Sequence, residues 1–345
     1  MKKIKFASML LAGILCMGTM VGCGFTPINA PTEDEVKNAQ KYDGEIALII
    51  SQKDDEYLSH LDQAVKAAAD VKGCDLYSVD CNNDIDREIK LVQDAVKKQA
   101  GAIIIEVIDD ARVQDIIDAA GDTPVVFINR TPKDTSILDE THVFVGSNED
   151  ESGKLQGEAL ADCLKKQKKT DVNYLMFKGT EGMVHTKMRS ENALKALTEA
   201  GIHAQAAAEP VYCDFSRDKA KAEMDAMLAD GLDMSTVDCI ISNNDSMALG
   251  VIESLEKNKI DFSNIDIVGI DGTNAGMRAI RDGAMAATVY QNAAAQASTS
   301  VQLAINLALG SDLMIGVEHE QDKDNEFMIW VPFETVTIDN VDDFH

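Results

Sequence analysis

Short apolar runs alternate with amphipathic stretches along this chain, and they do so twice. Leu76 to Val79 reads as a strand, and residues 46–50, 102–105 and 125–128 are runs of four or five mostly aliphatic side chains. That is the composition of strands buried on both faces. Between them apolar residues recur at helical spacing: Leu58, Leu61, Val65 and Ala68, then Ile85, Ile89, Val92 and Val96, then Val113, Ile116 and Ile117. This βαβαβαβ order predicts a parallel sheet with helices on both sides. The rhythm restarts near residue 172. Strands are expected over 172–177, within 202–211, and over 237–241, 265–270 and 287–289. Helices are expected around Ala193, Leu194 and Leu197, around Ala222, Met224, Met227 and Leu228, and over 248–255. The chain has 345 residues, enough for two cores. The fold class is therefore α/β, with two doubly wound parallel-sheet lobes and a cleft between them.

The start of the chain constrains where those lobes work. Lys2, Lys3 and Lys5 precede an apolar run over 6–20, which ends in Met20-Val21-Gly22-Cys23. A basic head, a short greasy middle and small residues before a cut make a secretory leader. The run is short of the roughly 20 residues of a membrane span. A cysteine at the cut resembles the lipobox of bacterial lipoproteins. It implies a signal peptide over 1–23, lipid on Cys23 and an extracytoplasmic protein anchored to the cell membrane. Residues 24–43, with Pro27, Pro31 and no periodic apolar face, read as a tether. The net charge of −27 repels phosphate backbones and anionic lipid alike, so nucleic acid is excluded as a partner and the lipid alone makes the membrane link. Five cysteines lie beyond the leader: Cys74, Cys81, Cys163, Cys213 and Cys239, with no CxxC. A strand between Cys74 and Cys81 would hold them more than about 20 Å apart, so free thiols are expected.

Ligands of open parallel sheets sit beyond the carboxyl ends of the strands. The residues there are Asp54, Asp55 and Tyr57; Asn129 and Arg130; Met183, His185 and Arg189; Asn243, Asn244 and Asp245; Asp271; and Tyr290, Gln291 and Asn292. Singly, Asn and Asp at such places are turn residues or helix caps. Together they suit a polyol, whose hydroxyls both donate and accept, and whose C–H face can lie on Tyr57 or Phe215.

The chain after Gly44 resembles the periplasmic galactose/glucose-binding proteins of sugar importers. The resemblance rests on Val125-Val126-Phe127-Ile128-Asn129, on Val145-Gly146-Ser147-Asn148 running into Glu151-Ser152-Gly153 and Gln156-Gly157, and on Lys178-Gly179. Met224-Asp225-Ala226-Met227-Leu228 and the run from Ile241 to Gly250 (ISNNDSMALG) extend it, and Gly269-Ile270-Asp271 and Ala287-Thr288-Val289 close the set. It implies a type I solute-binding fold with three crossings between lobes, near Ser147, near Gln291 and over 327–330. The N-terminal lobe would be 44–147 plus 292–329, and the C-terminal lobe 148–291 plus 330–345. It implies that Asp55 accepts from sugar hydroxyls, that Tyr57 and Phe215 stack on opposite ring faces, and that Asn129, Arg189, Asn244 and Asp271 make polar contacts. Three positions depart from the family: Met183 stands for His, His185 for Asp and Gln291 for Asn. One corner of the sugar is thereby read differently. The family often carries a calcium loop, but the matching stretch 165–171 holds four lysines, so no metal and no cofactor are expected. The implied function is a monomeric lipoprotein that captures a monosaccharide, a hexose such as galactose or glucose, and hands it to the membrane permease of an ABC importer. The alternatives are a sensor docking to a chemoreceptor or kinase, and a secreted glycoside-acting enzyme using Asp55 and Asp271. The sequence holds no HExxH, GxSxG or P-loop, and a repressor of this fold would need a basic DNA-binding head.

Overall fold

The computed structural model describes residues 42–344. The expected leader, Cys23 and nearly all of the tether lie outside the described residues. Strands β1 (Glu45–Ile50), β2 (Asp75–Asp80), β3 (Ala102–Glu106), β4 (Val125–Ile128) and β5 (His142–Gly146) build the first sheet. Helices α1 (Glu56–Lys72), α2 (Ile85–Lys97) and α3 (Val113–Ala120) connect them. The strand order is β12-β5-β4-β3-β1-β2, all parallel, with β12 (Met328–Trp330) at one edge.

The second sheet repeats the plan. It holds β6 (Asp171–Lys178), β7 (His203–Ala206), β9 (Cys239–Ser242), β10 (Asp266–Val268) and β11 (Ala287–Gln291), with β8 (Val211–Tyr212) pairing β6. Its order is β13-β11-β10-β9-β6-β7, and only β13 (Phe333–Thr337) runs antiparallel. Helices α4 (Glu149–Lys166), α5 (Val184–Glu199), α6 (Arg217–Ala229), α7 (Asp245–Lys257) and α8 (Asn274–Arg281) flank it, and α9 (Ala293–Ala308) returns to the first sheet. In the first sheet β1 lies between β2 and β3, and in the second β6 lies between β7 and β9. This is the order whose switch point places ligands at the carboxyl ends.

Alternation along the strands divides each core. Ile46, Leu48 and Ile50 face α1 and α9 with Leu61, Val65 and Val301, while Ala47 and Ile49 face α2 and α3 with Val92 and Ile116. In the second sheet Leu175, Phe177 and Ile240 pack with Met224 and Val251, while Tyr174, Met176 and Ile241 pack with Leu160 and Leu197. The chain passes between sheets after β5, after β11 and after β12. Trp330 still belongs to the first sheet, so the last passage is Val331-Pro332, slightly later than the expected break between 329 and 330. Cys74, Cys81, Cys163, Cys213 and Cys239 are free thiols.

Candidate functional site

Most site residues owe their position to the end of a strand or the start of a helix. Asp55 is the N-cap of α1 and accepts from the Leu58 N–H at 2.8 Å. The first turn of α1 then carries Tyr57 inward. Asn129 follows β4 with φ of 69°, a left-handed conformation that Asn tolerates. Asn244 caps α7 through Met247 N–H at 2.9 Å, and its Nδ2 donates to the Phe215 carbonyl at 3.2 Å. Phe215 is itself left-handed, φ 58°, and its ring lies on the backbone of Gly179, where a Cβ would come within 2.0 Å of Cζ. Asp271 has φ of 118°, strained for a non-glycine residue and held by its N–H to Val289 O at 2.8 Å. Such strain costs about 1–3 kcal/mol and collects at working sites.

Arg189 is seated by close helix packing in the second lobe. A Cβ on Gly153 would lie 2.6 Å from Arg189 O, and one on Gly157 2.4 Å from Ala193 O. The small residues of α4 therefore let α5 approach. Gln156 anchors α4 by donating to Ser242 O and Gly269 O at 2.7 and 3.0 Å. The guanidinium then meets Glu149 at both ends, Nε to Oε2 at 2.7 Å and Nη2 to Oε1 at 2.9 Å. Its Nη1 donates to Asn243 O at 2.9 Å and reaches Asp271 Oδ1 at 3.4 Å. Gln291 joins the lobes, donating from Nε2 to Asn129 Oδ1 at 2.8 Å.

These groups surround an inner cavity of about 40 Å³ lined by Asp55, Tyr57, Asn129, His185, Arg189, Phe215, Asn244, Asp271 and Gln291, with Leu58 and Arg130. All the expected contacts meet there except Met183. That side chain, the uncapped N-cap of α5, lines an outer cleft of about 1020 Å³ instead. Asp55, Arg130 and Phe215 border both spaces, so the inner cavity opens into the cleft.

Two residues here escape sequence reasoning. Glu149 is paired with a residue 40 positions away. Asp110 accepts from the Val184 N–H at 2.8 Å, so a residue of the first lobe supplies the cap that α5 lacks. Glu149 lies within the 145–153 stretch that carries the family resemblance, but its pairing with Arg189 is not local, and Asp110 sits at no motif.

Charge is distributed unevenly. Burial drives Asp271 well above the usual carboxylate range, against the pull of Arg189, and raises Asp55 as well. Burial would raise Glu149 too, but Arg189 and then His185 outweigh it and bring it to about 2. Burial pushes His185 down to about 4, although Glu149 pulls it up, so the imidazole is neutral near pH 7.

Residues 46–312 match the periplasmic binding protein domain. The chain belongs to the periplasmic binding protein family. Among its relatives is the D-galactose/methyl-galactoside binding periplasmic protein MglB of Haemophilus influenzae, 30% identical over 315 residues, 88% of this chain and 92% of that one. A putative rhizopine-binding protein of Rhizobium meliloti is 26% identical over 80% of this chain and 84% of its own length. In structure, an ABC transporter solute binding protein of Bacillus halodurans with bound myo-inositol is similar, with a TM-score of 0.75 and 27% identity over 88% of this chain and 98% of that one.

Proposed function

We propose that this periplasmic binding protein captures a single neutral polyol ring between its lobes, a hexose such as galactose or glucose, and delivers it to the permease of an ABC importer. The carrying observation is the inner cavity, where Asp55, Tyr57 and Asn129 of one lobe face His185, Arg189, Asn244 and Asp271 of the other. A ligand held by both lobes binds the closed arrangement better than an open one and so shifts the hinge toward closure. The galactose-binding relative supports the hexose. A cyclitol is the second reading, favoured by the myo-inositol complex and by Met183 and His185 standing where the galactose/glucose proteins have His and Asp. The leader ending at Cys23 supports a lipid-anchored, extracytoplasmic protein.

A thermal-shift screen with D-galactose, D-glucose, D-ribose and myo-inositol tests this reading. A ligand at 1,000 times its Kd stabilises by about 4 kcal/mol. A clear rise in melting temperature with a hexose is expected. A rise with myo-inositol alone moves the assignment to the cyclitol, and no rise with any of these polyols overturns it.

A further inference from the structure

At the inner cavity Tyr57 Oη is buried without a hydrogen-bond partner, and neither ring nitrogen of His185 makes a well-aligned hydrogen bond, although the Asn129 backbone lies against the imidazole. Tyr57 is 6% exposed and His185 4%, and both line the cavity. Buried polar atoms are overwhelmingly paired in folded proteins. The two residues come from opposite lobes, each from the first turn of its helix. His185 Nε2 stands 3.1 Å from Glu149 Oε1 but is not directed along a hydrogen bond, and that carboxylate already accepts from Arg189 and Ser152.

We infer that Tyr57 and His185 together read one ring hydroxyl of the ligand, which makes Tyr57 a specificity-determining hydrogen-bond donor as well as a flat stacking face. A hydroxyl fits because it accepts from the phenol and can also donate to, or accept from, the imidazole. A carboxylate would face Glu149 and Asp271, so the substituent read here is not an anion. This inference rests on the polyol reading above and names which of its groups the two lobes share.

The test is calorimetric titration of wild type and Tyr57→Phe with whichever of D-galactose, D-glucose or myo-inositol binds tightest, and with its monodeoxy analogues. The variant should bind the parent about tenfold more weakly, the scale of one hydrogen bond of about 1.4 kcal/mol. One monodeoxy analogue should bind wild type and variant equally, because the phenol has nothing left to lose. Ligand-free Tyr57→Phe should melt no lower than wild type, since it sheds an unpaired buried hydroxyl. Equal affinity of both proteins for the parent, or a Tyr57→Phe loss that persists with every monodeoxy analogue, overturns the inference and leaves the polyol reading standing. Failure of wild type to bind any polyol overturns both.

Discussion

Replacing Glu149 with alanine removes the carboxylate that clamps Arg189. The guanidinium and the carboxylate are 4% and 2% exposed, and two hydrogen bonds of 2.7 and 2.9 Å join them. Breaking a buried pair from one side costs about 3–5 kcal/mol, because the remaining charge stays buried without its partner. Asp271 stands 3.4 Å from the guanidinium and can take over part of the role, so the lower end applies, about 3 kcal/mol. For a protein of this size that is a fall of roughly 6 °C in melting temperature. Glu149→Gln keeps an acceptor and should lose about half as much. The pH dependence has a definite sign. Glu149 is held down to about 2, below the ordinary glutamate value of about 4.3. Its stabilisation is therefore complete above that ordinary value and is lost as the pH falls toward 2. The gap between wild type and Glu149→Ala should be constant from pH 6 to 8 and shrink below about pH 4. Denaturant melts across that range measure it. A Glu149→Ala variant within about 1 kcal/mol of wild type would refute the reasoning, as would a gap that widens in acid.

Gly179→Ala should weaken ligand binding about tenfold or more while leaving the fold intact, since the new Cβ would lie 2.0 Å from the Phe215 ring and push it off its place. Calorimetry beside a far-ultraviolet circular dichroism spectrum checks both halves. Asp110→Ala should lower affinity about fivefold without touching the cavity, because Val184 loses a cap worth about 1 kcal/mol that comes from the opposite lobe. Asp110→Asn, which still accepts, should recover most of it.

The first half of the fold was legible because β1, β3 and β4 are buried on both faces and its helices carry apolar stripes. The strands β1 to β4 fall within a residue of the expected runs. No such stripe runs the length of α4, whose first half buries Ser152, Gly153, Gln156 and Gly157 and whose last turns alone bury Leu160 and Leu164. That segment and the β5 strand before it lay in the gap between the two expected halves. The site was legible for a topological reason: parallel strands send all their carboxyl ends to one side, so Asp55, Asn129, Asn244 and Asp271 could be collected without knowing any distance. Met183 falls at the mouth rather than in the cavity because it precedes α5, two positions before the cavity-lining His185. Glu149 and Asp110 act through tertiary pairings, with Arg189 and with the start of α5, and no local pattern announces either.

The central claim is that a neutral polyol is gripped between the lobes, and Asp271 tests it most directly. Its side chain lines the inner cavity, and its strained backbone is held by hydrogen bonds that an alanine would keep. Calorimetric titration of wild type and Asp271→Ala with the same sugar should show saturable binding for the first and none for the second, with both melting cooperatively. Undiminished affinity in Asp271→Ala would contradict the account.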